Sequence, residues 1–101
     1  MEKSKYTIKY FPTFIKQLDK IFYYFVHMLN NKIAAENFYE EIFTKIERRS
    51  LNPSAYEIFK TTNKGDNWYR LRVKKFTIFY MVRNNTMEVR VILYNKRNLM
   101  N

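Results

Sequence analysis

The 101-residue chain has no cysteine, one histidine, one glycine and two prolines. Without cysteine there is no disulfide and no thiolate metal site, which suits a reducing cytosol. His27 alone cannot assemble a metal centre, and no metal or cofactor is expected. So little Gly and Pro excludes a low-complexity or disordered chain. Long apolar runs are absent too. The longest, Ile21 to Leu29 (IFYYFVHML), is about half of the roughly 20 residues a spanning helix needs. The charged start, MEKSKYTIKY, lacks the apolar stretch of a signal peptide. A soluble cytoplasmic protein of one domain, residues 1–101, is the expectation.

Acidic residues are scarce: nine, against 19 lysines and arginines, for a net charge of +10. From Asp66 onward eight basic residues face two acidic ones. Such an excess points to a polyanionic partner, whether RNA, DNA or an acidic protein segment. What is abundant is aromatic: nine Phe, nine Tyr and one Trp, enough to fill a core in a short chain.

Residues 5–10 alternate and predict a short strand. From Phe14 the period changes. Phe14, Ile15, Leu18, Ile21, Phe22, Phe25, Val26 and Leu29 follow the three-and-four spacing of one helical stripe, with Thr13 a candidate cap. Asn30-Asn31 interrupts, and a second stripe runs through Ala34, Ala35, Phe38, Ile42, Phe43 and Ile46. Its glutamates lie early and Lys45, Arg48 and Arg49 late, as the helix dipole favours. Asn52-Pro53-Ser54 stops it. Strands are predicted at Tyr56–Lys60, Trp68–Val73, Phe76–Val82 and Met87–Tyr94, with turns around Gly65, Lys74-Lys75 and Asn84-Asn85. The predicted fold is α+β: an N-terminal strand, an αα-hairpin, then a mainly antiparallel twisted sheet with the helices on one face.

A period of two divides that sheet. One face holds Tyr69, Leu71 and Val73; Phe76, Ile78, Tyr80 and Val82; and Met87, Val89, Val91 and Leu93. It is apolar and should bury against the helices. The other holds Trp68, Arg70, Arg72, Thr77, Phe79, Met81, Arg83, Glu88, Arg90, Ile92 and Tyr94, with Lys96 and Arg97 just beyond. The plain reading is a solvated face with Glu88 pairing Arg90 or Arg83. The sharper one is a binding surface built on Trp68, Arg83, Arg90 and Lys96, because interleaved aromatics and guanidinium forks suit bases and phosphates.

The segment order, the run YRLRVKKFTIFYMVRNNTMEVRVILYNKRN and the helix KIAAENFYEEIFTKIERRSLNP resemble the RelE/ParE superfamily, toxins of type II toxin–antitoxin systems. The resemblance spans Tyr6 to Asn98. It implies a growth-inhibiting toxin neutralised by a cognate antitoxin, the two forming a heterotetramer. Its target is DNA gyrase in ParE-like members. RelE-like members instead cleave mRNA on the ribosome as metal-independent endoribonucleases. For a nuclease, the resemblance carries the catalytic roles to Arg70, Arg72, Tyr94 and Arg97. Thr77, however, stands where many nucleases of the family carry an arginine. No tyrosine follows Tyr94, and a guanidinium stays protonated and is a poor general base. The helices, of roughly 16–18 residues each, also suit the ParE-like branch, which is the expected one. A plain nucleic-acid-binding module, resting on charge alone, is the third reading.

Overall fold

A computed structural model describes residues 5–95. The strand β1 (Thr7–Tyr10) leads into α1 (Pro12–Tyr23), whose last turn widens into a π-helical turn over Tyr24–Met28. The helix α2 (Lys32–Arg49) returns, and β2 (Ile58–Thr61), β3 (Asn67–Val73), β4 (Phe76–Arg83) and β5 (Thr86–Tyr94) follow. The five strands form one sheet in the order β1-β5-β4-β3-β2. Three ladders are antiparallel, and β1 runs parallel to β5 at one edge. The helical hairpin carries the chain from the β1 edge to the β2 edge. Three reversals then bring β5 back beside β1 in the same direction. The expected α+β architecture is therefore present, as a mixed rather than purely antiparallel sheet.

Local chemistry accounts for the breaks. Pro12 occupies the first turn of α1, where its missing N–H costs nothing, and Phe11 rather than Thr13 takes the cap position without a side-chain bond. In the π turn the Leu29 N–H reaches back to Tyr24 O (3.1 Å). Asn30 then adopts φ +50, the left-handed conformation that ends a helix and that Asn tolerates. Asn31 caps α2, its Oδ1 accepting from Ala34 N–H at 3.0 Å. Gly65 takes φ +90 in the β2–β3 turn.

The core lies between the hairpin and one sheet face. Phe14, Leu18, Ile42, Ile46, Val73, Ile78, Tyr80, Met87 and Val89 are fully buried there. The faces alternate without interruption along β3 and β4, although Thr77 and Met81 on the outer side of β4 are buried as well, but β5 breaks the alternation. Val89 pairs with Tyr80 and Val91 with Phe79, so Arg90 is an extra residue, a β-bulge. The bulge inverts every later side chain of β5. Ile92, expected outward, faces the helices at 2% exposure, while Leu93, expected in the core, is 49% exposed. Val91 likewise shifts to the outer face and Tyr94 to the helix side, where its ring meets Phe76 at 5.5 Å. The Gln17 Oε1 of α1 accepts from the Ile92 N–H (2.8 Å), so α1 supplies a partner just past the bulge.

Candidate functional site

The helices leave the second sheet face uncovered. Trp68, Arg70 and Arg72 of β3 stand on it beside Phe79 and Arg83 of β4, with Glu88 and Arg90 of β5. Its centre is an ordered charge network. Arg90 donates from Nε (3.2 Å) and Nη2 (2.9 Å) to Glu88 Oε1. Its guanidinium sits between the rings of Phe11, 4.3 Å away, and Trp68, 5.6 Å away. Arg83 reaches Asp66 Oδ2 at 3.0 Å and Glu88 Oε1 at 3.6 Å. Two cations and two carboxylates balance here, and planar stacking holds Arg90 in one geometry. Trp68 meets Phe79 edge-on at 6.5 Å, and Phe59 of β2 lies 5.4 Å from Phe79. Under these rings Met81 is only 4% exposed.

The unneutralised charge lies to one side. Arg70 stacks over Phe59 at 4.5 Å, and Arg72 is exposed. Among the described residues neither has a carboxylate partner. They border a groove of about 480 Å³ lined also by Lys45 and Arg49 of α2 and by Tyr56 and Glu57. Arg49 fixes its wall. Its guanidinium lies 3.6 Å from the Tyr56 ring centre and donates to Arg70 O (3.1 Å) and the Tyr80 hydroxyl (2.8 Å). The Tyr80 hydroxyl in turn donates to Pro53 O at 2.8 Å. Burial raises the Tyr80 pKa, with the Arg49 contact partly opposing it, so the phenol stays neutral and can be both donor and acceptor.

The structure thus brings Trp68, Arg70, Arg72, Arg83 and Arg90 onto one face. It does not bring Tyr94 there, because the bulge turns it toward the helices. Lys96 and Arg97 lie outside the described residues. Thr77 is 5% exposed, its Oγ1 donating to Asn95 Oδ1 at 2.6 Å, and supplies no charge to the face. Sequence reasoning missed Phe11 and Phe59, which precede or belong to short elements with little pattern. It also missed the groove role of Lys45 and Arg49, whose position at a helix end had a sufficient explanation in the dipole. Among the described residues no cluster of His, Asp and Glu could hold a metal, and no helix is long and apolar enough to cross a membrane.

An α+β domain with a helical hairpin on one sheet face and a cationic, aromatic surface on the other defines the class. The family model "ParE toxin of type II toxin-antitoxin system, parDE" matches residues 8–99, and the chain belongs to that family. It is similar in structure to a chain of the chromosomal ParDE toxin–antitoxin system from P. aeruginosa, with TM-score 0.71, 14% identity, and coverage of 89% of this chain and 96% of that one. It is also similar to a chain of the archaeal RelE-RelB complex from Pyrococcus horikoshii OT3, with TM-score 0.57, 13% identity, and coverage of 93% and 99%. A comparison with curated proteins finds no match.

Proposed function

We propose that this ParE-family toxin arrests growth by binding a protein target, DNA gyrase, through the surface around Arg70 and Arg72, and that a separate antitoxin chain holds it inactive. The observation that carries the binding reading is the separation of Tyr94 from Arg70 and Arg72 by the β5 bulge. Cleavage by 2′-hydroxyl attack needs a base, cations for the phosphorane and an acid for the leaving oxygen, all on one scissile bond. The centre of the outer face offers cations, aromatics and two carboxylates, Glu88 and Asp66, both occupied by arginines. Such a surface suits an acidic protein epitope: guanidinium forks pair with carboxylates, and flat rings supply desolvated area. The similar chains from ParDE and RelE-RelB systems support an antitoxin partner.

Expression of the chain is expected to stop growth, and co-expression of its cognate antitoxin to restore it. Arg70→Glu with Arg72→Glu should abolish the arrest while circular dichroism stays that of the parent. Full arrest from that folded variant would exclude this surface.

The second reading, a ribosome-dependent mRNA interferase using Arg70, Arg72, Tyr94 and Arg97, is favoured only by the two arginines without carboxylate partners. It requires that Arg97→Ala end toxicity and that mRNA be cut on translating ribosomes.

A further inference from the structure

By composition the outer face looks like a platform for single-stranded nucleic acid, with Phe11, Trp68 and Phe59 set among Arg70, Arg83 and Arg90. Its geometry works against that use. A base needs a bare ring face, and a phosphate needs a guanidinium free to turn toward it. The Arg90 guanidinium already lies over the Phe11 and Trp68 rings, 4.3 and 5.6 Å from their centres. Arg70 lies over Phe59 at 4.5 Å, and Trp68 meets Phe79 edge-on. The guanidinium planes thus occupy the places where bases would stack.

Two carboxylates hold this arrangement. Glu88 of β5 receives both arginines on one oxygen, Oε1, with Arg90 Nη2 at 2.9 Å and Arg83 Nε at 3.6 Å. Asp66, just before β3, takes Arg83 Nη2 at 3.0 Å. Arg83 is therefore held from two elements at once. A phosphate would have to displace both carboxylates and would stand beside two negative charges as it did so. Solvent screens little of that repulsion at Glu88, whose side chain is only 13% exposed. A protein epitope meets no such barrier. It can bring carboxylates to Arg70 and Arg72 at the rim. It can also offer N–H and ammonium donors to Glu88 and Asp66, whereas phosphodiester oxygens only accept.

We propose that Glu88 and Asp66 are specificity determinants of the outer face: they hold Arg83 and Arg90 out of reach of phosphate, so that the face refuses single-stranded nucleic acid and accepts a protein target. That the accepted partner is a protein rests on the proposed function. The exclusion of nucleic acid stands on the geometry alone. Both carboxylates act through the arginines they hold, so their effect belongs in the salt dependence of binding.

The test uses the purified full chain and labelled oligouridylate as the probe, titrated by fluorescence anisotropy from about 0.1 M to about 1 M salt. Glu88→Gln with Asp66→Asn keeps both shapes and removes both charges. Each phosphate contact to a single strand contributes about 0.7 to the log-salt slope. Two released arginines should therefore steepen the slope by roughly 1.4 and tighten binding at about 0.1 M by roughly 25-fold. Glu36→Gln with Glu40→Gln, at exposed positions of α2, changes the net charge equally. That pair should change affinity by about threefold at most and leave the slope as it is. Circular dichroism checks the fold. Glu88→Gln alone, with a slope change of at least about 0.7, replaces the double variant if that does not fold. Equal affinity and slope in the folded Glu88 variant and the α2 control overturn this inference and leave the proposed function standing. A parent that already binds the oligonucleotide as tightly as the double variant overturns it as well. Supercoiling by DNA gyrase is measured with the parent alongside. Absence of inhibition there overturns the proposed function and the assignment of a protein partner, while the oligonucleotide titration decides the exclusion of nucleic acid by itself.

Discussion

Removing one oxygen, by Tyr80→Phe, should destabilise this domain more than its size suggests. The Tyr80 side chain is fully buried, and its hydroxyl joins three elements. It accepts from Arg49 of α2 and donates to Pro53 O in the loop before β2, each at 2.8 Å, while the ring belongs to β4. Phenylalanine leaves almost no cavity, so the cost is polar. Pro53 is fully buried, and losing its carbonyl's donor costs about 1–3 kcal/mol. Arg49 keeps Arg70 O and the Tyr56 ring, so its lost contact adds only about 1 kcal/mol. The total is roughly 2–4 kcal/mol, a drop in Tm on the order of 10–20 °C for a domain of this size. Tyr69→Phe is the control. Its ring stacks on Tyr80 at 5.3 Å and is nearly as enclosed, but its hydroxyl makes no comparable tie, and about 0.5 kcal/mol or less is expected. Thermal unfolding followed by circular dichroism reads both, and a cycle with Arg49→Met separates the two bonds. A Tyr80→Phe protein melting within about 2 °C of the parent would refute the idea that this hydroxyl ties the groove wall to the sheet.

Three further outcomes follow. Glu88→Gln releases Arg83 and Arg90 from their shared carboxylate, so nonspecific binding to single-stranded RNA should tighten and its log-salt slope steepen by roughly one to two; an unchanged slope in anisotropy titrations would mean the two arginines are not neutralised in solution. Gln17→Leu strips the Ile92 N–H of its acceptor, and a loss of about 1–3 kcal/mol with faster amide exchange at Ile92 is expected, whereas parent-like exchange would mean the bulge does not need α1. Burial, with a smaller contribution from Glu47, pushes the Tyr10 pKa up to about 12, and Tyr80 moves the same way. Both phenols are thus more easily ionised in the unfolded chain. Their contribution is fully present below pH 10 and is lost as pH rises toward 12; a melting temperature that stays level through that window would contradict the burial of these hydroxyls.

Much of the fold was legible because two periods are written cleanly. The stripe through Phe14, Leu18 and Ile21 and the stripe through Phe38, Ile42 and Ile46 define the hairpin. The alternation of Tyr69, Leu71 and Val73 defines which face of β3 is buried. The parallel β1–β5 pairing was not legible, since strand order depends on where the hairpin delivers the chain. Nor was the bulge. Val91-Ile92-Leu93 is apolar throughout and satisfies either register, so only three-dimensional pairing decides which side chain is buried. That ambiguity fell on Tyr94, a residue the nuclease reading needs. A regular β5 would have put Tyr94 on the face of the arginines, whereas the real strand sends it to the helix side, beside Phe76. The charge excess was visible in composition, yet its useful part was not. Glu88 and Asp66 neutralise the central arginines and leave Arg70, Arg72 and the end of α2 as the cationic surface.

The measurement closest to the central claim is a paired assay of the purified toxin, freed from its antitoxin. It follows supercoiling by DNA gyrase and mRNA integrity on translating ribosomes at the same toxin concentrations. Loss of supercoiling that returns on adding the antitoxin, with intact mRNA, is expected, as is relief of inhibition by Arg70→Glu with Arg72→Glu. Cleaved mRNA with unimpaired supercoiling would contradict the central claim.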